Sequence, residues 1–117
     1  MIMCGILGII SKNNLNIKQC NNSLEKIRYR GPDNTSVLSL NNDKGYNHFF
    51  GFVRLKIMDL SDSGNQPFHI NDCILICNGE IYNYKKLIEK YGFKDAYQSD
   101  HNDCEIIIHM YRRFGIE

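Results

Sequence analysis

The sequence predicts an α+β domain built on antiparallel sheet, and three observations support this prediction. Several short apolar stretches between residues 4 and 77 have the length and composition of strands. Three other stretches carry apolar residues three and four positions apart, as amphipathic helices do. Turn-forming residues separate neighbouring strands by only a few positions, which indicates hairpins rather than crossover connections.

In the first half of the chain we predict three strands and one helix. The segment Cys4–Ile10 is apolar and ends at the polar sequence SKNN, so it is predicted to be a short buried strand. Helical spacing begins at about Ile17 and extends to Ile27, and Gly31 with Pro32 is predicted to stop this helix. The strands TSVLSL and YNHFFGFVRL follow on either side of a turn at NNDKG.

In the second half a loop, DLSDSGNQP, leads to a short strand FHI, a tight ND turn and the apolar strand CILIC. A helix with Asn83 as its N-cap is then predicted, because four residues define one apolar face: Tyr84, Leu87, Ile88 and Tyr91. A last helix is predicted from about Asp103, whose charge suits the positive end of the helix dipole. Its inward face is predicted to consist of Cys104, Ile107, Ile108, Tyr111 and Phe114.

Composition places the chain among ordinary globular domains. Its 117 residues are enough for one domain with a core, and 43% are hydrophobic and 23% charged. The net charge of +1 does not favour binding to nucleic acid or to an anionic membrane. The longest apolar run near the start, CGILGII, is too short to span a membrane and lacks the flanks of a signal peptide.

The five cysteines form neither a disulfide framework nor a CxxC motif, which favours a reduced, cytosolic compartment. Cys73 and Cys77 lie four positions apart in an apolar run. We interpret them as small buried hydrophobic residues rather than as metal ligands, because no paired ligands follow.

Four short stretches contain residues that suit chemistry. They are RGPD at 30–33, RLKIMDL at 54–60, CNGEIYN at 77–83 and DCE at 103–105. Taken singly, each has an ordinary explanation, namely a turn, a surface charge, a hairpin and an N-cap. The motifs for dinucleotide, phosphate-loop and zinc-protease sites are absent from the sequence, and the four histidines have no ligand spacing.

Extended to RLKIMDLSDSGNQPF, NGEIYNY and DCEIIIHMYRRFG, and taken together with RGPD and CGILGII, these stretches resemble in order and spacing the glutaminase domain of asparagine synthetases, over nearly the whole chain. That domain is a class II glutamine amidotransferase of the N-terminal-nucleophile hydrolase type, so the resemblance implies stacked antiparallel sheets flanked by helices (αββα). It also implies that residues 1–117 are the N-terminal part of the domain, C-terminally incomplete. The synthetase domain that binds ATP and aspartate in the family is absent from this chain.

The resemblance implies that Cys4 is the nucleophile once it becomes the first residue. An α-amine with a pKa of about 7.7–8.0 is a suitable local base for a thiol with a pKa of about 8.5. Because the bulky Ile2 follows Met1, ordinary methionine removal is not expected to expose Cys4, whereas translation from Met3 followed by one cleavage does so. We therefore expect active protein to begin at Cys4.

The resemblance also implies the roles of the other site residues. The side-chain amide of Asn78 and the backbone N–H of Gly79 would form the oxyanion hole. Arg54 would bind the α-carboxylate of glutamine and Glu80 and Asp103 its α-ammonium group. Three further residues are implied near the substrate, two through their backbone and one as part of a wall: Ile57, Met58 and Asp33.

The expected function is hydrolysis of glutamine to glutamate and ammonia, with the ammonia used for asparagine biosynthesis in the cytoplasm. No cofactor or metal is expected for this step, whereas ATP and Mg²⁺ are implied for the missing synthetase domain. The expected partners are L-glutamine and that domain, without nucleic acid or membrane, and a homodimer is left open. Two alternatives are another class II amidotransferase, with a sugar-phosphate or phosphoribosyl acceptor, and an inactive fragment or binding module.

Overall fold

The computed structural model describes residues 3–57 and 60–116, and it contains five strands and three α-helices within these ranges. In chain order they are β1 (Gly5–Ser11), α1 (Ile17–Glu25), β2 (Asn34–Asn41), β3 (Asn47–Arg54), β4 (Phe68–Ile70), β5 (Cys73–Leu75), α2 (Tyr84–Tyr91) and α3 (Ile106–Phe114). Short 3₁₀ turns cover residues 28–30, 62–64 and 103–105.

The first sheet has three antiparallel strands in the order β1-β3-β2. Gly5 pairs with Val53 and Ser11 with Asn47, while Asn34 pairs with Arg54 on the other side of β3. The central strand β3 is the most buried of the three and is almost wholly buried from Phe49 onward. This register brings the start of β1, near Cys4, beside the end of β3, near Arg54.

Helix α1 covers one face of this sheet. Its N-cap is Asn16, whose side chain accepts a hydrogen bond from the backbone N–H of Gln19. Cys20 and Leu24, one turn apart, are buried against the sheet. Leu24 lies so close to Gly51 of β3 that a Cβ at Gly51 would come within 2.8 Å of the leucine side chain. The absence of a side chain at Gly51 therefore sets the distance between helix and sheet.

The second sheet, β4-β5, lies between the first sheet and helix α3. On one side Ile76, just after β5, lies 3.6 Å from the position that a Cβ on Gly8 of β1 would take. On the other side a buried cluster joins both layers through Phe68, Ile70, Cys104 and Ile108. The layers therefore follow the order helix, sheet, sheet, helix, and the expected α+β fold with stacked antiparallel sheets is confirmed.

Several predicted boundaries differ from the structure. Helix α1 ends at Glu25, before the predicted stop, because the chain turns through residues 28–30 to bring Pro32 beside Arg54. Asn83 occupies the N-cap position of α2 but makes no side-chain capping hydrogen bond. The inward placement of Tyr111 and Phe114 was wrong, since about half of each side chain is exposed and Phe114 packs on Tyr91 in an open groove.

Within the described ranges, no helix has both the length and the apolar character that crossing a membrane requires.

Candidate active site

A cavity of about 160 Å³ lies where the start of β1, the end of β3 and the segment after β5 meet. At the volume that one water needs, this is room for about ten non-hydrogen atoms, the size of a free amino acid such as glutamine. Most of the sequence-predicted site residues line it, namely Cys4, Arg54, Ile57, Asn78, Gly79, Glu80 and Asp103. Met58, also predicted, lies outside the described residues.

The Cys4 side chain lies at the end of β3. The backbone N–H of Leu55 donates to its sulfur at 3.3 Å, and the thiol lies 3.6 Å from the Leu55 carbonyl oxygen. Arg30 donates from Nε to the Cys4 carbonyl oxygen at 3.2 Å, which fixes the peptide that follows Cys4. In this chain the Cys4 nitrogen is part of the peptide bond to Met3, and an amide nitrogen is not a base.

The RGPD stretch connects Cys4 to Arg54. A Cβ on Gly31 would lie 2.4 Å from the carbonyl carbon and oxygen of Val53, so only glycine permits this close backbone contact. Asp33 accepts a hydrogen bond from the backbone N–H of Lys56 at 2.8 Å and donates its own N–H to the Arg54 carbonyl oxygen at 3.0 Å. Asp33 therefore holds the segment after β3, which lines the cavity.

Arg54 is a buried cation, with 4% of its surface exposed. Its Nη1 donates to the Ser61 carbonyl oxygen and to Asn65 Oδ1, both at 2.6 Å. These bonds orient the guanidinium at the cavity wall, and they also attach the loop 61–65 to the end of β3. A fixed guanidinium of this kind matches a carboxylate, which it binds with two parallel hydrogen bonds.

Asn78 and Gly79 follow β5 on a segment that Gln66 holds in place. The buried Gln66 side chain accepts the Cys77 N–H at 2.6 Å and donates to the Cys77 carbonyl oxygen at 3.1 Å. Both backbone groups of Cys77 are thus paired by one side chain, directly before the predicted oxyanion hole. Gln66 lies within the stretch RLKIMDLSDSGNQPF, but its role was not predicted from the sequence, because its partners lie eleven residues away.

The two predicted acidic ligands, Glu80 and Asp103, both line the cavity. Asp103 accepts the backbone N–H of Ile81 at 2.5 Å, so it connects the loop after Gly79 to the turn before α3. Glu80 is exposed at the cavity edge. Two carboxylates beside one buried guanidinium form a site with both signs of charge, as the α-ammonium and α-carboxylate of an amino acid require.

A buried carboxylate, Glu105, holds the segment that precedes Asp103. Its Oε1 and Oε2 accept the backbone N–H groups of Gln98 and Ser99, each at 2.6 Å, and Oε1 also contacts His109 Nε2 at 3.0 Å. The side chain is fully buried. The sequence pattern gave no role to Glu105, because the N–H groups that it accepts lie in a loop without a recognisable motif.

Two comparisons with known proteins agree with this arrangement. A family model described as "Glutamine amidotransferase domain" matches residues 3–117. Among curated proteins, the "Probable asparagine synthetase [glutamine-hydrolyzing]" of Acanthamoeba polyphaga mimivirus is 42% identical over 120 residues, covering 98% of this chain and 21% of the relative. The "Asparagine synthetase [glutamine-hydrolyzing]" of Gallus gallus is 40% identical over 119 residues, covering 98% and 20%.

A "Putative asparagine synthetase [glutamine-hydrolyzing] 2" of Methanocaldococcus jannaschii is 36% identical over 132 residues, which cover 98% of this chain and 25% of the relative. The chain thus spans about a fifth to a quarter of the length of these relatives. The resemblance to the glutaminase domain of asparagine synthetases is confirmed. By its fold, its cavity and a match over residues 3–117, this chain belongs to the glutamine amidotransferase domain family.

Proposed function

We propose that this chain hydrolyses the side-chain amide of L-glutamine, with the Cys4 thiolate as nucleophile. The observation that supports this most directly is the convergence of Cys4, Arg54, Asn78 and Asp103 on one cavity of amino-acid size, from four separate segments of the chain. A nucleophile, a fixed cation, an amide donor and a carboxylate are the groups that this reaction needs.

Binding uses the charged groups at the cavity wall. The α-carboxylate of glutamine pairs with the Arg54 guanidinium, and its α-ammonium group lies between Glu80 and Asp103. Backbone atoms near Ile57 and Met58 complete the contacts along the substrate. The side-chain amide then extends toward Cys4 and the segment 78–79.

In the chemical step the Cys4 sulfur attacks the amide carbon, and the carbonyl oxygen becomes an oxyanion. The side-chain N–H of Asn78 and the backbone N–H of Gly79 donate to this oxygen, where their effect is greatest in the transition state. The free α-amine of a mature Cys4 takes the thiol proton and passes it to the leaving ammonia. Water activated by the same amine then hydrolyses the γ-glutamyl thioester to glutamate.

We further propose that the released ammonia serves asparagine synthesis in the cytoplasm, through a synthetase domain that uses ATP and Mg²⁺. The names of the relatives, which are asparagine synthetases that hydrolyse glutamine, support this. Free thiols at all five cysteines support a reducing compartment. We assign no residue of this chain to ATP or Mg²⁺, and the homodimer stays a prediction.

The test uses protein whose first residue is Cys4, prepared by cleavage of a removable leader. Glutamate formation from glutamine is measured, and a glutamine analogue with a diazoketone in place of the amide is used to label the nucleophile. We expect turnover and a single label on Cys4. The Cys4→Ala variant should lose both, whereas Cys73→Ala, changed outside the cavity, should keep both. Labelling of another cysteine, or equal turnover in Cys4→Ala, would refute the proposal.

A further inference from the structure

Three of the five cysteines line the glutamine cavity, but the proposed hydrolysis uses only Cys4. The other two, Cys77 and Cys104, come from the segment after β5 and from the turn before α3. The proposed hydrolysis gives neither of these two thiols a role.

The two thiols lie beside the predicted oxyanion hole. Cys77 packs against the buried cluster that contains Cys104. Cys104 Sγ also lies 3.4 Å from the Gly79 carbonyl oxygen, and Cys77 Sγ lies 3.9 Å from the position that a Cβ on Gly79 would take. Both sulfurs therefore flank Gly79, whose N–H is the proposed oxyanion donor.

The environments of the two thiols assign them different roles. The neighbouring Cys104 side chain lowers the pKa of the Cys77 thiol to about 7, and Cys77 is only partly buried. A thiolate that reagents reach is the reactive form of cysteine. The neighbouring Cys77 side chain and burial both raise the pKa of the Cys104 thiol. Only 3% of the Cys104 surface is exposed. Cys104 therefore suits the role of a resolving thiol, which attacks only the oxidised sulfur of Cys77 beside it.

Cys73 provides a contrast within the same short segment. Burial and the neighbouring Asp72 carboxylate raise the pKa of its thiol above the usual value. At neutral pH Cys77 holds far more thiolate than Cys73, so we expect it to react with oxidants at least roughly tenfold faster.

We propose that Cys77 and Cys104 form a redox-active dithiol that hydrogen peroxide oxidises to a disulfide. The Cys77 thiolate attacks one peroxide oxygen, the O–O bond breaks, and Cys77 becomes a sulfenic acid while the departing oxygen leaves as water after protonation. The Cys104 sulfur then attacks the Cys77 sulfur. The S–O bond breaks, and hydroxide leaves as a second water with the Cys104 proton. Two thiols lose two electrons in total, and a dithiol reductant reverses the change.

The consequence for catalysis rests on the proposed function. A bond of about 2.05 Å between the sulfurs replaces a side-chain contact, so it draws the segment 77–79 toward the turn 103–105. It also removes the thiol proton that lies beside the Gly79 carbonyl oxygen. We therefore expect the oxidised protein to hydrolyse glutamine at least roughly tenfold more slowly, since misplacing one oxyanion donor has effects of this order or larger.

The test maps the cysteines by mass. The reduced chain is treated with one equivalent of hydrogen peroxide, free thiols are alkylated, and tryptic peptides are analysed without reduction. Four lysines between positions 77 and 104 place the two cysteines on separate peptides, so a bridge joins them visibly. We expect one linked pair, lighter by two hydrogens, with Cys4, Cys20 and Cys73 alkylated. Cys73→Ser should give the same bridge.

Two variants separate the steps. In Cys104→Ala we expect Cys77 to stop at the sulfenic acid, which dimedone traps, and in Cys77→Ser we expect no bridge. A bridge that uses Cys4 or Cys73, or an alkylated Cys77 in peroxide-treated wild type, would overturn the proposal. The mass mapping of the cysteines does not depend on glutaminase activity. A Cys77–Cys104 bridge in a chain that does not hydrolyse glutamine would therefore count against the proposed function and support the dithiol.

Discussion

At the scale of single residues, Gln66 shows how the site depends on a side chain that never needs to touch substrate. It pairs the N–H and the carbonyl of Cys77 at 2.6 and 3.1 Å, and it is itself buried. A buried backbone group that loses its partner costs about 1–3 kcal/mol. Gln66 therefore holds the direction in which Asn78 and Gly79 leave β5.

We predict that Gln66→Leu lowers kcat about 10- to 100-fold and changes the KM for glutamine little, because the oxyanion donors move while Arg54 and Asp103 keep their places. Steady-state kinetics on protein beginning at Cys4 check this split. Gln19→Leu on the exposed face of α1 is the matched control and should behave as wild type. A rise in KM with an unchanged kcat would show that Gln66 acts on binding instead.

The predicted ligands of the two ends of glutamine should also separate in kinetics. Asn78→Ala should lower kcat by a factor of about 10²–10³, equivalent to about 2.7–4 kcal/mol, because its amide acts on charge that develops in the transition state. Arg54→Ala should mainly raise KM, since the ion pair exists in ground and transition states alike. The opposite pattern in the two variants would refute these roles.

Maturation is a further prediction at this scale. The Cys4 nitrogen has no basic lone pair while it is bonded to Met3, so we predict that glutaminase activity requires removal of all residues before Cys4. Intact-mass measurement and activity are compared on the same preparations. Full activity in protein that retains Met1 would contradict this prediction.

The sequence indicated most cavity residues because they lie in short motifs whose spacing the family shares. Three further residues also hold segments of the site, but these roles were not predicted from the sequence. They are Arg30, Gln66 and Glu105. Their partners lie 26, 11 and 6 or 7 residues away, in segments that only the folded chain brings together. Contacts of this kind leave no periodic signal.

At the scale of elements, the turn 103–105 connects the site to helix α3. The Asp103 carboxylate accepts a hydrogen bond from the backbone N–H of Ile81. The Glu105 carboxylate accepts two short hydrogen bonds from backbone N–H groups of the loop at 98–99. The helix period of this segment was visible in the sequence, but its first regular residue is Ile106 because these side chains impose a 3₁₀ turn. The ends of elements therefore depend on polar contacts, whereas their existence follows from apolar spacing.

We predict that Glu105→Gln lowers the free energy of unfolding by about 1–3 kcal/mol, because an amide has one acceptor oxygen for two buried N–H groups. It should also weaken glutamine binding, since Asp103 shares the turn. Urea unfolding and glutamine titration measure the two effects. Glu89→Gln on the exposed side of α2 is the control, and an equal effect in both variants would show that the buried contacts do not matter.

At the scale of the whole molecule, the chain has more accessible surface than a compact monomer of the same mass. Its accessible surface is 7881 Å², whereas a compact monomer of this mass has about 6,600 Å². The radius of gyration is 14.9 Å against about 13.4 Å for a compact domain of 117 residues. Ile6 and Ile10, on the face of β1 opposite α1, are 43% and 62% exposed. Much apolar surface thus lies uncovered on the sheet and in the groove between α2 and α3.

We therefore predict that residues 1–117 alone are marginally folded and poorly active. The free energy of unfolding of a domain is only about 5–15 kcal/mol, and each well-buried isoleucine contributes about 1.5–3 kcal/mol. A few uncovered side chains therefore remove a large share of the free energy of unfolding. Calorimetry should show a weak or broad transition, and a dye that binds exposed apolar surface should bind strongly. Joining the chain to the remaining glutaminase residues of a longer relative should sharpen the transition, reduce dye binding and raise glutamine turnover. A cooperative transition in the monomeric 117-residue chain, with turnover equal to that of a full-length relative, would show that the exposed face needs no cover.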